Sequence, residues 1–140
     1  MPREYKSEDE FHDAWQRVWD ARFEALDALL GHARGGVYHG EPPIWCDNGK
    51  PDVLWFQPEP DLNVYVTADF TGDFFDAQLP STLGRYELMI ATREPNDWAP
   101  TLLSRFAPHT LDAVVEPGHT LDLDGFITKR FPDSCLELGV

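Results

Sequence analysis

The sequence predicts an α+β fold, a single domain in which a mostly antiparallel or mixed sheet carries helices packed on one face. Three observations lead there. A long helix-period stripe opens the chain, short alternating runs separated by turn residues follow it, and a second helical stripe comes after them. At 140 residues the chain has the usual size of one core. Roughly two-thirds of its unfolded surface can be buried at that length, so neither disulfides nor metal are needed for folding. Residues 1–140 are therefore read as one unit, with the N-terminal helix within 6–34 and the sheet, second helix and C-terminal strands within 37–140.

The first helix begins at a capping box. Ser7 can accept from a first-turn amide while Glu10 reaches back, and Phe11, Trp15, Val18, Trp19, Phe23, Leu26, Leu29 and Leu30 then recur at helical spacing. Asp13, Arg17, Asp20, Glu24 and Asp27 fall on the opposite face, and Gly31 or the Gly35-Gly36 pair stops the helix. From Val37 to Pro51, glycines and prolines mark a loop, with a short edge strand at Ile44 to Cys46. Two strand-like runs follow, Val53 to Gln57 and Leu62 to Thr67, and the turn Pro58-Glu59-Pro60-Asp61 joins them. In the second run Leu62, Val64 and Val66 alternate with Asn63, Tyr65 and Thr67, as in a half-buried strand.

Asp69 to Gly84 reads as an irregular acidic loop, and Arg85 to Thr92 as the next strand. After Pro95, Asn96 or Asp97 caps a helix carrying Trp98, Leu102, Leu103 and Phe106, which Pro108 kinks or ends. Pro117-Gly118 leads into a strand from His119 to Leu123, and the tail from Ser134 to Gly139 suits a last short strand.

Charge limits the partners. Eleven Lys plus Arg stand against 25 Asp plus Glu, a net charge of −14. Such a field repels phosphate backbones and anionic membranes, so direct nucleic-acid binding is not expected, while encounter with a basic protein is favoured. The plainer reading, an acidic surface serving solubility, accounts for the charge equally well. The N-terminal segment has no apolar core of a signal peptide, and no run approaches the roughly 18 apolar residues of a membrane span. A cytoplasmic location is expected.

Chemistry-bearing motifs are scarce. The sequence holds no GxSxG, Walker loop, GxGxxG or HExxH pattern. His32, His39 and Cys46 come nearest to a zinc set, but the glycines and prolines between them read as ordinary loop, so no metal and no cofactor are expected. Cys46 and Cys135 read as apolar filler. Glu87 is the notable carboxylate, because it lies mid-strand between apolar residues. A buried unpaired charge is costly, so pairing with an Arg or a backbone amide is preferred over a catalytic role. No Lys or Arg occurs between Lys50 and Arg85 or between Arg105 and Lys129. The first stretch sets Phe70, Phe74 and Phe75 among Asp69, Asp73 and Asp76, either as a face for a basic partner or as a solvated loop whose rings turn inward.

Four features together resemble the suppressor-of-fused domain family in its bacterial branch. They are the strand ending in Thr within VYVTADFTGDF, the Tyr86-Glu87-Leu88-Met89 strand, the Trp-led helix from Trp98 to Ala107, and the Pro117-Gly118-His119 turn into HTLDL. The likeness spans Val53 to Leu138 and departs from the family after Thr67, where Ala-Asp-Phe-Thr-Gly replaces a Gly-Met-Ser form. The resemblance implies a non-enzymatic interaction domain, of a kind that includes a cytoplasmic regulator of a transcription factor and bacterial immunity proteins that neutralise toxins.

The expected function is thus an immunity-type or regulatory binding protein that occludes a basic protein partner, a toxin or a regulator. Asp69, Asp73, Phe74, Phe75, Asp76, Glu87 and Trp98 are the expected partner-binding residues, and an open sheet edge offers β-augmentation. Two alternatives stand beside it: an enzyme using Glu87, an Asp and a His such as His119 as acid/base groups, and a structural subunit that oligomerises through its Phe-rich surface.

Overall fold

In the computed structural model, residues 6–44, 48–69 and 86–112 are described, with 111 and 112 as backbone only. Helix α1 spans Glu8–Leu30, strand β1 Val53–Glu59, strand β2 Leu62–Thr67, strand β3 Met89–Thr92 and helix α2 Trp98–Asp112. The three strands form an antiparallel sheet in the order β1-β2-β3. The fold is α+β, as its sequence predicts. The expected acidic loop from 70 to 84, the strand at 119–123 and the tail strand at 134–139 lie outside the described residues.

Ser7 caps α1, its hydroxyl accepting from the Glu10 amide at 3.1 Å. Glu10 reaches back one residue further than a capping box requires and accepts from the Lys6 amide at 2.7 Å. Gly31, at φ 81°, ends the helix, and its amide donates to the Asp27 carbonyl at 3.0 Å. A left-handed backbone is open to glycine without a side-chain clash, so the chain stops here and not at Gly35. Trp15 and Trp19, one helical turn apart, stack with centroids 5.5 Å apart. Leu29, expected in the apolar stripe, is exposed.

The two helices cover opposite faces of the sheet, which corrects the expectation of one covered face. Leu54, Phe56, Val64 and Val66 meet Trp19, Phe23, Leu26 and Leu30 of α1. Val53 and Tyr65 meet Trp98, Ala99 and Leu103 of α2. The register pairs Leu54 with Val66 and Trp55 with Tyr65, so successive positions alternate between the two layers. Asn63, Tyr65 and Thr67, read as the polar side of a half-buried strand, are buried too. Asn63 accepts from the Trp55 indole and donates to the Arg93 carbonyl, which satisfies its buried amide.

The β1–β2 turn is tighter than expected. Pro60 and Asp61 alone separate the strands, and Pro58 lies where the register shifts between Phe56 and Glu59, a position that asks no ladder bond of it. Residues 33–38 flank β1 through bridges from Ala33 to Phe56 and from Tyr38 to Val53. The segment read as loop therefore supplies the edge pairing. Of the short edge strand expected at Ile44 to Cys46 only Ile44 lies within the described residues; Pro43 before it makes a single parallel bridge to Lys50, and Ile44 is buried beside Ala107. Gly40 passes so close to the Lys50 carbonyl that a β-carbon there would collide with backbone.

Asn96 caps α2, its side-chain oxygen accepting from the Ala99 amide at 2.8 Å, while its own amide donates to the Tyr65 hydroxyl at 2.9 Å. Pro108 sits within the helix and does not end it. Among the described residues no helix is long and apolar enough to cross a membrane.

Candidate functional site: a buried carboxylate junction

The end of β2 and the segments leading into β1 and β3 bring three acidic side chains together under α1. Asp52 precedes β1, Asp69 follows β2 and Glu87 precedes β3. Backbone bonds fix the meeting point, with Ala68 donating to the Asp52 carbonyl at 3.0 Å and Thr67 to the Leu88 carbonyl at 2.9 Å.

Each carboxylate has defined partners. Asp52 is 8% exposed and accepts from the Gly40 amide at 2.8 Å, with His39 Nδ1 3.2 Å from its other oxygen. Asp69 is 2% exposed and accepts from the Asp52 amide at 2.8 Å. Glu87 pairs with Arg22 of α1 and accepts from the Thr67 hydroxyl. The same Thr67 oxygen accepts from the Leu88 amide at 2.8 Å, which orients its proton toward Glu87.

Burial pushes the Asp69 carboxyl up to about 7. The negative charges of Asp52 and Glu87 add to that rise, while the Asp52 amide and a hydrogen bond with Trp15 act against it. One group in the junction thus holds a proton near neutral pH, while Arg22 sits against a second. A carboxyl held up to about 7 beside one paired with an arginine is raw material for acid/base chemistry, but chemistry on a substrate also requires access, and Asp69 is almost sealed.

This arrangement changes the standing of the expected site residues. Asp69 is brought to the junction but points into the protein, so it cannot offer its charge on a surface. Trp98 is 5% exposed and packs on Val53 and Tyr65, as core and not as a contact surface. Both corrections share one cause, namely that the sheet is covered on both faces. Glu87 meets an arginine, the pairing preferred for it. Asp73, Phe74, Phe75 and Asp76 lie outside the described residues, as does His119.

Sequence reading missed Arg22, Asp52, Thr67, Trp15 and His39 as members. A signal was present for Arg22, which follows Trp15 by seven positions and precedes Leu26 by four, placing a cation in an apolar stripe. Asp52 and Asp69 directly flank apolar strand runs and are the other legible hints. For His39 the sequence suggests only a zinc ligand, and nothing in it links the residue to Asp52. Among the described residues no group of three or more His, Cys, Asp or Glu is placed to hold a metal ion. His32 pairs instead with Asp27, and Cys46 lies outside the described residues.

The described surface carries a second acidic feature. Asp9, Asp13, Asp20 and Glu24 are exposed along the outer ridge of α1, with Asp27 partly exposed at its end. Arg17 is the one exposed Lys or Arg within Asp9–Asp27, because Arg22 turns inward to Glu87.

Comparison with known proteins yields no match: no family model, no curated protein and no solved structure resembles this chain significantly.

Proposed function

We propose that this chain is a protein-binding domain that meets a basic partner and acts by occluding it, in the manner of an immunity or regulatory protein. The observation that carries the reading is the outer ridge of α1, where exposed carboxylates follow one another at helical spacing on a chain of net charge −14. A ridge of one sign raises the encounter rate with a basic surface and disfavours acidic competitors. The acidic stretch holding Asp73, Phe74, Phe75 and Asp76 is proposed as a second arm of the contact. The immunity-type role is the one implied by the resemblance to suppressor-of-fused domains.

A direct test compares the unaltered chain with an Asp13→Asn/Asp20→Asn/Glu24→Gln variant and with an Asp73→Lys/Asp76→Lys variant. Each is immobilised and exposed to extract of the source cell at two ionic strengths. A basic protein retained at low salt by the unaltered chain, and reduced by about tenfold with either variant, is the expected result. A retained set that is the same for all three chains overturns the reading.

An acid/base enzyme reading draws on the raised pKa of Asp69 beside Glu87. It requires a substrate to reach a carboxyl that is 2% exposed, and the binding reading requires no such access.

A further inference from the structure

Helix α1 is tied to the sheet in two different ways. Over its second half the contact is apolar, through Trp19, Phe23, Leu26 and Leu30. Alongside this run the Arg22–Glu87 ion pair ties the helix over the junction, and Trp15 of α1 lies beside Asp69. Three carboxyl groups meet there. Asp52 comes from the segment before β1, with His39 against it from the solvent side, and Glu87 comes from the segment before β3. Arg22 is the cation that α1 supplies. Arg22 is paired with Glu87, so an ionised Asp69 would add its charge beside Asp52 and Glu87, with no cation of its own among the described residues. In a place largely closed to water that is unfavourable by simple Coulomb reasoning.

We propose that the junction is a proton-operated clasp: a proton on Asp69 keeps α1 closed over the adjoining ends of β1 and β2, and its release lets α1 open there and admit water. The closed form needs Asp69 neutral because its neighbours already carry charge. The open form hydrates all three carboxylates and leaves the sheet intact, since the ladders of β1, β2 and β3 do not involve α1. The acidity of Asp69 places the event near neutral pH. The clasp is independent of the binding reading, and its test needs no partner.

The test is hydrogen exchange on the full chain from about pH 5 to about pH 8, corrected for the intrinsic pH dependence of exchange. Protection of α1 residues around Ala14 to Leu26 is expected to fall by about tenfold or more relative to α2 across that range, as opening becomes linked to proton release. In Asp69→Asn the protection of α1 should stay level, and in His39→Gln the fall should persist. A parallel fall in α1 and α2, a fall surviving in Asp69→Asn, or its loss in His39→Gln would each overturn the clasp. If Asp69→Asn does not fold, the carboxyl carbon of Asp69 and the α1 amides of the unaltered chain are followed by NMR. A shared midpoint supports the proposal, and separate midpoints or no titration in this range reject it.

Discussion

Asp69 concentrates the electrostatic strain of the described fold. Burial holds its carboxyl up to about 7 in the folded chain, well above the usual carboxylate range. The folded state therefore binds this proton more tightly than the unfolded state. The stability tied to the proton is complete below about pH 4 and is lost as pH rises through about 7. The whole effect is about 4 kcal/mol at most. Asp69→Asn should consequently gain stability over the unaltered chain as pH rises from about 4 to about 7, checked by urea unfolding at several pH values. A constant difference between the two chains would contradict this. Glu87 is placed differently, because the Arg22 guanidinium of α1 lies against it. Arg22→Met is expected to cost about 2 kcal/mol, between the values for exposed and fully buried pairs, and Arg22→Met with Glu87→Gln should recover part of that in a double-mutant cycle.

The helices show where local sequence signals suffice and where they do not. Ser7 and Gly31 bound α1 and Asn96 caps α2; Ser7 was readable outright from residue type, while Gly31 and Asn96 were each one of two readings that the fold decided. The placement of the helices on opposite faces was not read, although the unbroken apolar run Val53-Leu54-Trp55-Phe56 hinted at a strand buried on both sides. Alternation in Leu62 to Thr67 misled because Asn63 and Thr67 satisfy their polar atoms inside the protein. The junction was half legible: Glu87 stood out by its strand context, but its contact with Arg22 joins residues far apart in sequence, which spacing alone cannot reveal. Two caps make a graded comparison. Ser7→Ala should cost about 1 kcal/mol, the loss of one capping bond. Asn96→Ala should cost about 2 kcal/mol, since Asn96 also donates to Thr92 and Glu94. Thermal unfolding of both variants checks the order.

At the scale of the molecule, charge and core act on different observables. Net charge of −14 governs encounter, and added salt screens it, so association through the acidic ridge should weaken steadily between about 0.05 and 0.5 M salt. Stability of the isolated chain should rise or hold over the same range, because screening relieves self-repulsion. Opposite salt trends for binding and for unfolding are the expected signature, measurable with one preparation. Trp98 belongs to the second category: Trp98→Ala should cost about 3–5 kcal/mol through the emptied layer between α2 and the sheet, and should affect binding only as far as folding is lost.

The close approach of Gly40 to Lys50 has a consequence for inheritance and not for energy alone. His39 and Glu41, on either side, are exposed and have room for other side chains, whereas any β-carbon at position 40 meets the Lys50 carbonyl and threatens the amide that holds Asp52. In a saturation library scored for folded protein, position 40 should admit one letter between two permissive neighbours. Among homologues, an invariant glycine at position 40 would mark the junction more reliably than any of its carboxylates, which Asn, Gln or Ser can mimic.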